Sequence, residues 1–123
     1  MSAEKKKLVI VIACGLEDER MSVAWSIASG GVKSGLDVTI FLTSSAVDCA
    51  RKGAADLVHL NPLDPTLGEM IQNLRSQGVP ILVCPPCAKV RGYSEKDLLD
   101  GVVITGSGAI HELIKQGAAT LSF

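Results

Sequence analysis

Cys84 and Cys87 are the side chains of this chain best suited to covalent chemistry. They lie in the stretch Ile81-Leu82-Val83-Cys84-Pro85-Pro86-Cys87-Ala88-Lys89-Val90-Arg91-Gly92-Tyr93. The apolar run Ile81 to Val83 predicts a buried strand that delivers Cys84 into a turn, and a helix is expected to begin near Cys87. A thiol at that junction faces helix N-termini and the cations Lys89 and Arg91, all of which favour its thiolate. A thiolate is what nucleophilic or sulfur-accepting chemistry needs. The duller reading is that Cys84 is a small apolar residue filling space.

The Cys-x-x-Cys spacing permits a disulfide, a shared metal or a redox dithiol. A thioredoxin-like motif follows an early strand, whereas this one follows the fourth expected strand. A structural zinc would need two further ligands, and the chain has no second Cys-x-x-Cys. Cys14, Cys49, His59 and His111 are scattered, so neither a metal nor a cofactor is expected. Gly106-Ser107-Gly108, ahead of a helix, could offer backbone N–H groups to an anion. It lacks the spacing of a dinucleotide fingerprint and the lysine of a P-loop. A tight strand-to-helix turn explains the same residues. His111 reads as a surface or helix-boundary residue, His59 is given no role, and Cys49 is expected in the core. Cys14 ends the first strand and is a candidate for the same rim as Cys84.

These residues must be positioned by alternating strands and helices. Leu8 to Ala13 is a continuous apolar run, the pattern of a strand covered on both faces. Glu17-Asp18-Glu19 places acids at a helix start. Met21, Ala24, Trp25, Ala28 and Val32 then form one helical face with Trp25 in the core. Gly30 and Gly31 weaken this helix unless close packing requires them. Asp37 to Thr43 reads as the second strand, and Ser44-Ser45 as the cap of a short helix from Ala46 to Lys52. Asp56 to Leu60 reads as a weak third strand. Thr66 is expected to cap a helix running to Gln77, ahead of the strand Ile81 to Cys84. Ser94 to Asp100 reads as a short helix, Val102 to Ile104 as a buried strand, Ala109 to Gln116 as a helix and Ala118 to Phe123 as a last strand.

That order predicts a single α/β domain with a mostly parallel sheet of about five strands and helices on both faces, in the flavodoxin-like manner. Ligands of such sheets bind at the carboxyl ends of the strands. Cys14, Thr43, Ser44, Cys84, Thr105 and Gly106 all follow expected strands and could converge there.

Composition narrows the classes. The chain has 123 residues, 47% of them hydrophobic and 20% charged. That suits one packed domain and excludes disorder. It is apolar for so small a monomer, so burial of surface between subunits is expected. A net charge of -1 and four aromatic residues argue against a nucleic-acid partner. Lys5-Lys6-Lys7 reads as part of a solvated, flexible tail over residues 1–7. No apolar run reaches the roughly 18 residues of a membrane span. Without a secretory leader pattern, the cysteines read as thiols of a reducing compartment, and a cytoplasmic protein is expected.

The second half of the chain resembles the DsrE/DsrF-like family, which includes bacterial sulfur-relay subunits of the TusD type. One block is Gly78 to Cys84, continued through Ala88 to Arg91-Gly92. The other is Val102-Val103-Ile104-Thr105-Gly106-Ser107-Gly108-Ala109 with the terminal Ala119 to Phe123. The resemblance implies a small α/β domain over residues 1–123 that assembles into trimers or hexamers. It also implies storage of sulfane sulfur as a persulfide on Cys84, received from a donor protein and passed to an acceptor by thiol exchange. Lys89, Arg91 and the N–H groups around Gly106, Ser107 and Gly108 would then support the charged species. Cys87 departs from the family pattern. It could attack a Cys84 persulfide, release sulfide and leave a disulfide, as a persulfide reductase, dithiol oxidoreductase or redox sensor would. It could also take the sulfur itself. A third reading is a non-catalytic oligomeric binding protein, and enzymatic turnover stays open at this stage.

Overall fold

The computed structural model describes residues 5–123. Five strands form one parallel sheet: β1 (Lys7–Ile12), β2 (Asp37–Leu42), β3 (Ile81–Val83), β4 (Val103–Ile104) and β5 (Ala119–Ser122), in the order β4-β3-β2-β1-β5. The helices are α1 (Arg20–Lys33), α2 (Leu67–Ser76), α3 (Pro85–Val90) and α4 (Gly108–Lys115).

The strand order explains which helix covers which face. From β1 to β4 the chain advances in one direction, and right-handed crossovers put α1 and α2 on one side. From β4 it returns across the whole sheet to β5, which carries α4 to the opposite side. The alternation along each strand follows. Leu8, Ile10, Ile12, Val38, Ile40, Leu42, Ile81 and Val83 pack with the α1 and α2 residues Met21, Trp25, Ala28, Leu67, Ile71 and Leu74. Val9, Phe41 and Ile110 form the smaller core under α4, joined by Val11, Leu82, Cys84 and Leu113.

Several local expectations hold. Trp25 is fully buried, its indole N–H donating to Met21 Sδ at 3.3 Å. Thr66 caps α2, its hydroxyl accepting from the Glu69 N–H at 3.3 Å. Gly31 is where α1 meets the sheet: a Cβ there would lie 3.1 Å from Val38 Cγ2, whereas one on Gly30 would meet nothing within 4 Å.

Others change. Asp56 to Leu60 is a turn followed by irregular backbone rather than a strand. Leu57 is 93% exposed, so its alternation with His59 buries no face. The neighbouring backbone is instead tied to the start of α2, with the Leu67 N–H donating to Val58 O at 2.7 Å and the Gly68 N–H to Ala55 O at 3.0 Å. The segment from Ser44 to Ala50 is a 3-10 helix that stops before Lys52, because Arg51 turns to bridge Leu98. Only Glu95–Asp97 is helical after α3, closed by a Ser94–Asp97 capping box. The strand expected at Val102 to Ile104 is an edge strand, with Val103 half exposed. No acid sits in the first turn of α1, because Asp18 lies before it and accepts from the Arg20 backbone N–H at 2.9 Å. Of the tail expected over residues 1–7, residues 1–4 lie outside the described residues, and Lys7 already belongs to β1. Among the described residues no helix is long and apolar enough to cross a membrane.

Candidate functional site

Every strand points the same way, so the carboxyl ends of β2 and β3 open side by side on one rim. Cys84 follows β3 and is the N-cap residue of α3, whose first two helical positions are Pro85 and Pro86. Proline suits a helix start, because its fixed φ is helical and its missing N–H would have had no helical partner. Cys87 is therefore placed one turn into the helix, and the two sulfurs lie 3.3 Å apart. The Cys84 backbone N–H donates to Leu42 O at 2.9 Å, which locks this junction to the end of β2.

The end of β2 then supplies the surroundings of Cys87. Ser44 adopts a left-handed conformation with φ +52. Its backbone N–H donates to Cys87 Sγ at 3.1 Å. The Thr43 hydroxyl lies 3.6 Å from the same sulfur. Thr43 is the N-cap residue of the 3-10 helix but makes no side-chain cap. The Arg91 guanidinium donates to Cys87 O at 3.1 Å and faces Asp48 at 3.6 Å. Asp48 also accepts from the Tyr93 hydroxyl at 2.6 Å.

These contacts hold the Cys87 thiol below its ordinary range. The Thr43 hydroxyl is the main cause, followed by the Cys84 thiol, the Ser44 N–H and the positive charge of Arg91, against a modest opposing effect of burial. Cys87, more than Cys84, collects the thiolate-stabilising groups. Cys84 instead packs beneath α4, with Val9, Phe41 and Ile110.

The other sequence candidates divide. Arg91 is at the site. Lys89 is exposed on α3, with no hydrogen bond or ion pair to either cysteine among the described residues. Gly106, Ser107 and Gly108 are exposed at the start of α4. They adjoin the Cys84 rim through the Thr105 N–H, which donates to Val83 O at 3.1 Å. Cys14 is on the same rim, but its thiol is pushed up by burial and then by Asp18, the opposite of activation. Cys49 is fully buried, and desolvation raises its thiol far above the ordinary range. Sequence reasoning placed Thr43 and Ser44 on the Cys84 rim but not their contacts with Cys87, and it missed Asp48 and Tyr93, of which Asp48 faces Arg91. The Asp48–Tyr93 bond joins positions 45 apart, for which a single sequence carries no signal. Among the described residues, no group of three or more His, Cys, Asp or Glu side chains gathers as a metal site.

The model of the DsrE/DsrF-like family matches residues 5–123. The chain belongs to that family. Its members are generally related to sulfur relay. Protein YchN of Escherichia coli is 33% identical over 102 residues, covering 80% of this chain and 83% of YchN. The uncharacterized protein MJ0760 of Methanocaldococcus jannaschii is 36% identical over 89 residues, and the chain spans only 32% of that longer relative. Among solved structures, the crystal structure of YchN superimposes with a TM-score of 0.76 at 24% identity, covering 98% of this chain and all of YchN's. MTH1491 of Methanobacterium thermoautotrophicum, a protein of unknown function, gives 0.70 at 20% identity over 98% of this chain and all of its own. These likenesses support the α/β fold over nearly the whole chain.

Proposed function

We propose that this protein is a sulfur carrier that accepts sulfane sulfur as a persulfide on Cys84 and passes it to a partner protein. The observation that carries this reading is the 3.3 Å approach of Cys84 Sγ to Cys87 Sγ, with Cys87 held toward its thiolate. In the loading step Cys84 sulfur attacks the outer sulfur of a donor persulfide. Its proton passes to the Cys87 thiolate, and the donor's thiolate leaves. Delivery is the same exchange in reverse: a thiolate of the acceptor protein takes the outer sulfur, and the Cys84 thiolate is released. The Arg91 guanidinium and the Ser44 N–H offset the negative charge that the pair carries at each stage.

The same short distance favours a second reading, a persulfide reductase. Once Cys87 is again ionised, it attacks the inner sulfur of the Cys84 persulfide. A Cys84–Cys87 disulfide forms and hydrosulfide leaves. The sulfurs need to approach by only about 1.3 Å to reach bonding distance.

Assembly into a homo-oligomer, trimeric or hexameric, belongs to the proposal. Its support is the apolar composition together with the exposure of Val90 (79%), Val103 (49%), Ile114 (47%) and Leu121 (42%). A cytoplasmic setting is proposed on the four free thiols.

Intact-mass spectrometry after exposure of the reduced protein to a persulfide donor tests the reading. A gain of one sulfur, about 32 Da, that is lost in Cys84→Ser and slowed in Cys87→Ser supports the carrier. A loss of two hydrogens with sulfide release, abolished by either substitution, supports the reductase. Absence of both products from the wild type overturns both.

A further inference from the structure

At the C-terminal end of α3 is a cleft of about 380 Å³ lined by Arg51, Lys52, Arg91, Tyr93, Lys96 and Asp97. Four cations face it against one carboxylate. That carboxylate is already engaged, since Asp97 accepts from the Ser94 N–H at 2.8 Å and the Ser94 hydroxyl at 3.1 Å. Lys52 reaches Asp100 only at 4.0 Å, and the Asp100 side chain is 94% exposed. Arg91 faces Asp48. Arg51 leans on the Tyr93 hydroxyl. Among the described residues neither Arg51 nor Lys96 is in an ion pair.

The cations are not brought together by general basicity, because the whole chain carries -1. Nor are they free to spread apart. The Lys52 N–H donates to Asp97 O and the Leu99 N–H to Ala50 O, both at 2.9 Å, and Arg51 bridges Leu98. Gly92, with φ +75, turns the chain back so that the Tyr93 N–H closes onto Ala88 O at 2.9 Å. Like charges fixed around one concave surface raise its potential and concentrate anions there. Arg91 ties this cleft to the cysteine-bearing helix, since its guanidinium donates to the backbone Cys87 O.

We propose that the cleft of Arg51, Lys52, Arg91 and Lys96 binds the carboxylates of a small thiol persulfide and presents its outer sulfur to the cysteine pair. The ligand class is a low-molecular-weight thiol persulfide with two or more carboxylates. The volume of this open cleft suits a molecule of tripeptide size, whereas an extended acidic surface would need no cleft. The inference rests on the sulfur-transfer reading for its chemistry but not for its binding.

The experiment therefore has two arms, using wild type and an Arg51→Gln/Lys96→Gln double variant. Both positions are exposed and outside the core, and thermal unfolding checks that the variant keeps its fold. In the first arm S-methylglutathione, which has two carboxylates and no reactive sulfur, is titrated by calorimetry. Saturable binding that weakens roughly five- to tenfold in the double variant, and weakens with salt, is expected. In the second arm, loading is followed by mass with glutathione persulfide and with 2-hydroxyethyl persulfide, which has no carboxylate. The double variant should raise KM for the first donor by a similar factor, leave kcat unchanged and leave the second donor unaffected. No binding in the first arm, or equal slowing with both donors, overturns the cleft. Binding of a hexaglutamate peptide but not of S-methylglutathione also overturns it, and assigns the surface to an acidic protein segment. Binding as expected without loading by either donor supports the anion site and removes the sulfur-transfer reading instead.

Discussion

Ser44 donates its backbone N–H to Cys87 Sγ at 3.1 Å from a left-handed conformation. A residue at the end of β2 thus completes the surroundings of a thiol on α3. With the Thr43 hydroxyl beside it, this N–H favours the ionised sulfur. The folded-state value of Cys87 is depressed, so the thiolate persists to lower pH than in an unstructured chain and is lost as pH falls through the folded value. Thr43→Val should move the midpoint of Cys87 alkylation upward. The rate of iodoacetamide reaction against pH, read by mass in a Cys14→Ala/Cys84→Ala background, measures it. An unmoved midpoint would remove Thr43 from the site.

Ser44→Gly separates the backbone from its cost. A non-glycine residue in the left-handed region is strained by about 1 to 2 kcal/mol. Glycine returns about 0.4 to 1 kcal/mol of that through its freer unfolded chain. The net expectation is a gain of about 1 kcal/mol or less in urea unfolding, with the Cys87 midpoint unchanged, because the N–H remains. A shifted midpoint in Ser44→Gly would mean that the hydroxyl matters as well.

Neighbouring glycines in α1 should respond in opposite directions. Gly30→Ala places its methyl in open space and should stabilise by about 1 kcal/mol through helix propensity. Gly31→Ala pushes into Val38 and Leu8, at 3.1 and 3.3 Å, and should cost about 1 to 3 kcal/mol. Gly68→Ala should behave like Gly31→Ala, since its Cβ would meet the Asp56 backbone at 3.0 Å. Denaturant midpoints of the three variants give the comparison directly.

Much of this architecture was legible from period and punctuation. The apolar runs at Leu8, Val38 and Ile81 gave the central strands, and their continuity showed that both faces are covered. Close packing was expected of both helical glycines from their cost, and it holds for Gly31 but not for Gly30. The Cys84–Cys87 pair followed from residue type and spacing. What failed was the reading of Asp56 to Leu60, where alternation without burial imitated a strand. Thr43 and Ser44 were legible as strand-end residues on the Cys84 rim, but their bonds to Cys87 were not, because the two look like capping groups in sequence and face that cysteine only after β2 and β3 pair. The Asp48–Arg91–Tyr93 cluster depends on the approach of the 3-10 helix after β2 to the end of α3, which no local pattern encodes.

Tyr93 gives a test of that cluster. The Asp48 carboxylate accepting from its hydroxyl raises the phenol above its ordinary value, with burial and charge repulsion adding to the effect. Its contribution is therefore full below the unfolded value near 10 and is lost as pH rises through the folded one. Tyr93→Phe should cost about 1 kcal/mol at neutral pH. It should also flatten the alkaline fall in stability above about pH 10. Urea midpoints from pH 7 to 11 for both proteins would show it, and parallel curves would place the Asp48–Tyr93 bond among contacts without energetic weight.

The pairing of β1 with β5 has a mechanical consequence. Residues from Leu8 to Val11 lie in register with those from Ala119 to Ser122, and the two strands run parallel. A force applied to the two ends of the chain therefore pulls these neighbours along their length in opposite senses. The ladder is loaded in shear, and its bonds must yield together rather than unzip one by one. Stretched from its termini, this small domain should resist as a clamp, and its first rupture should release β5 and α4 from the sheet before the rim that holds Cys84 and Cys87 is disturbed.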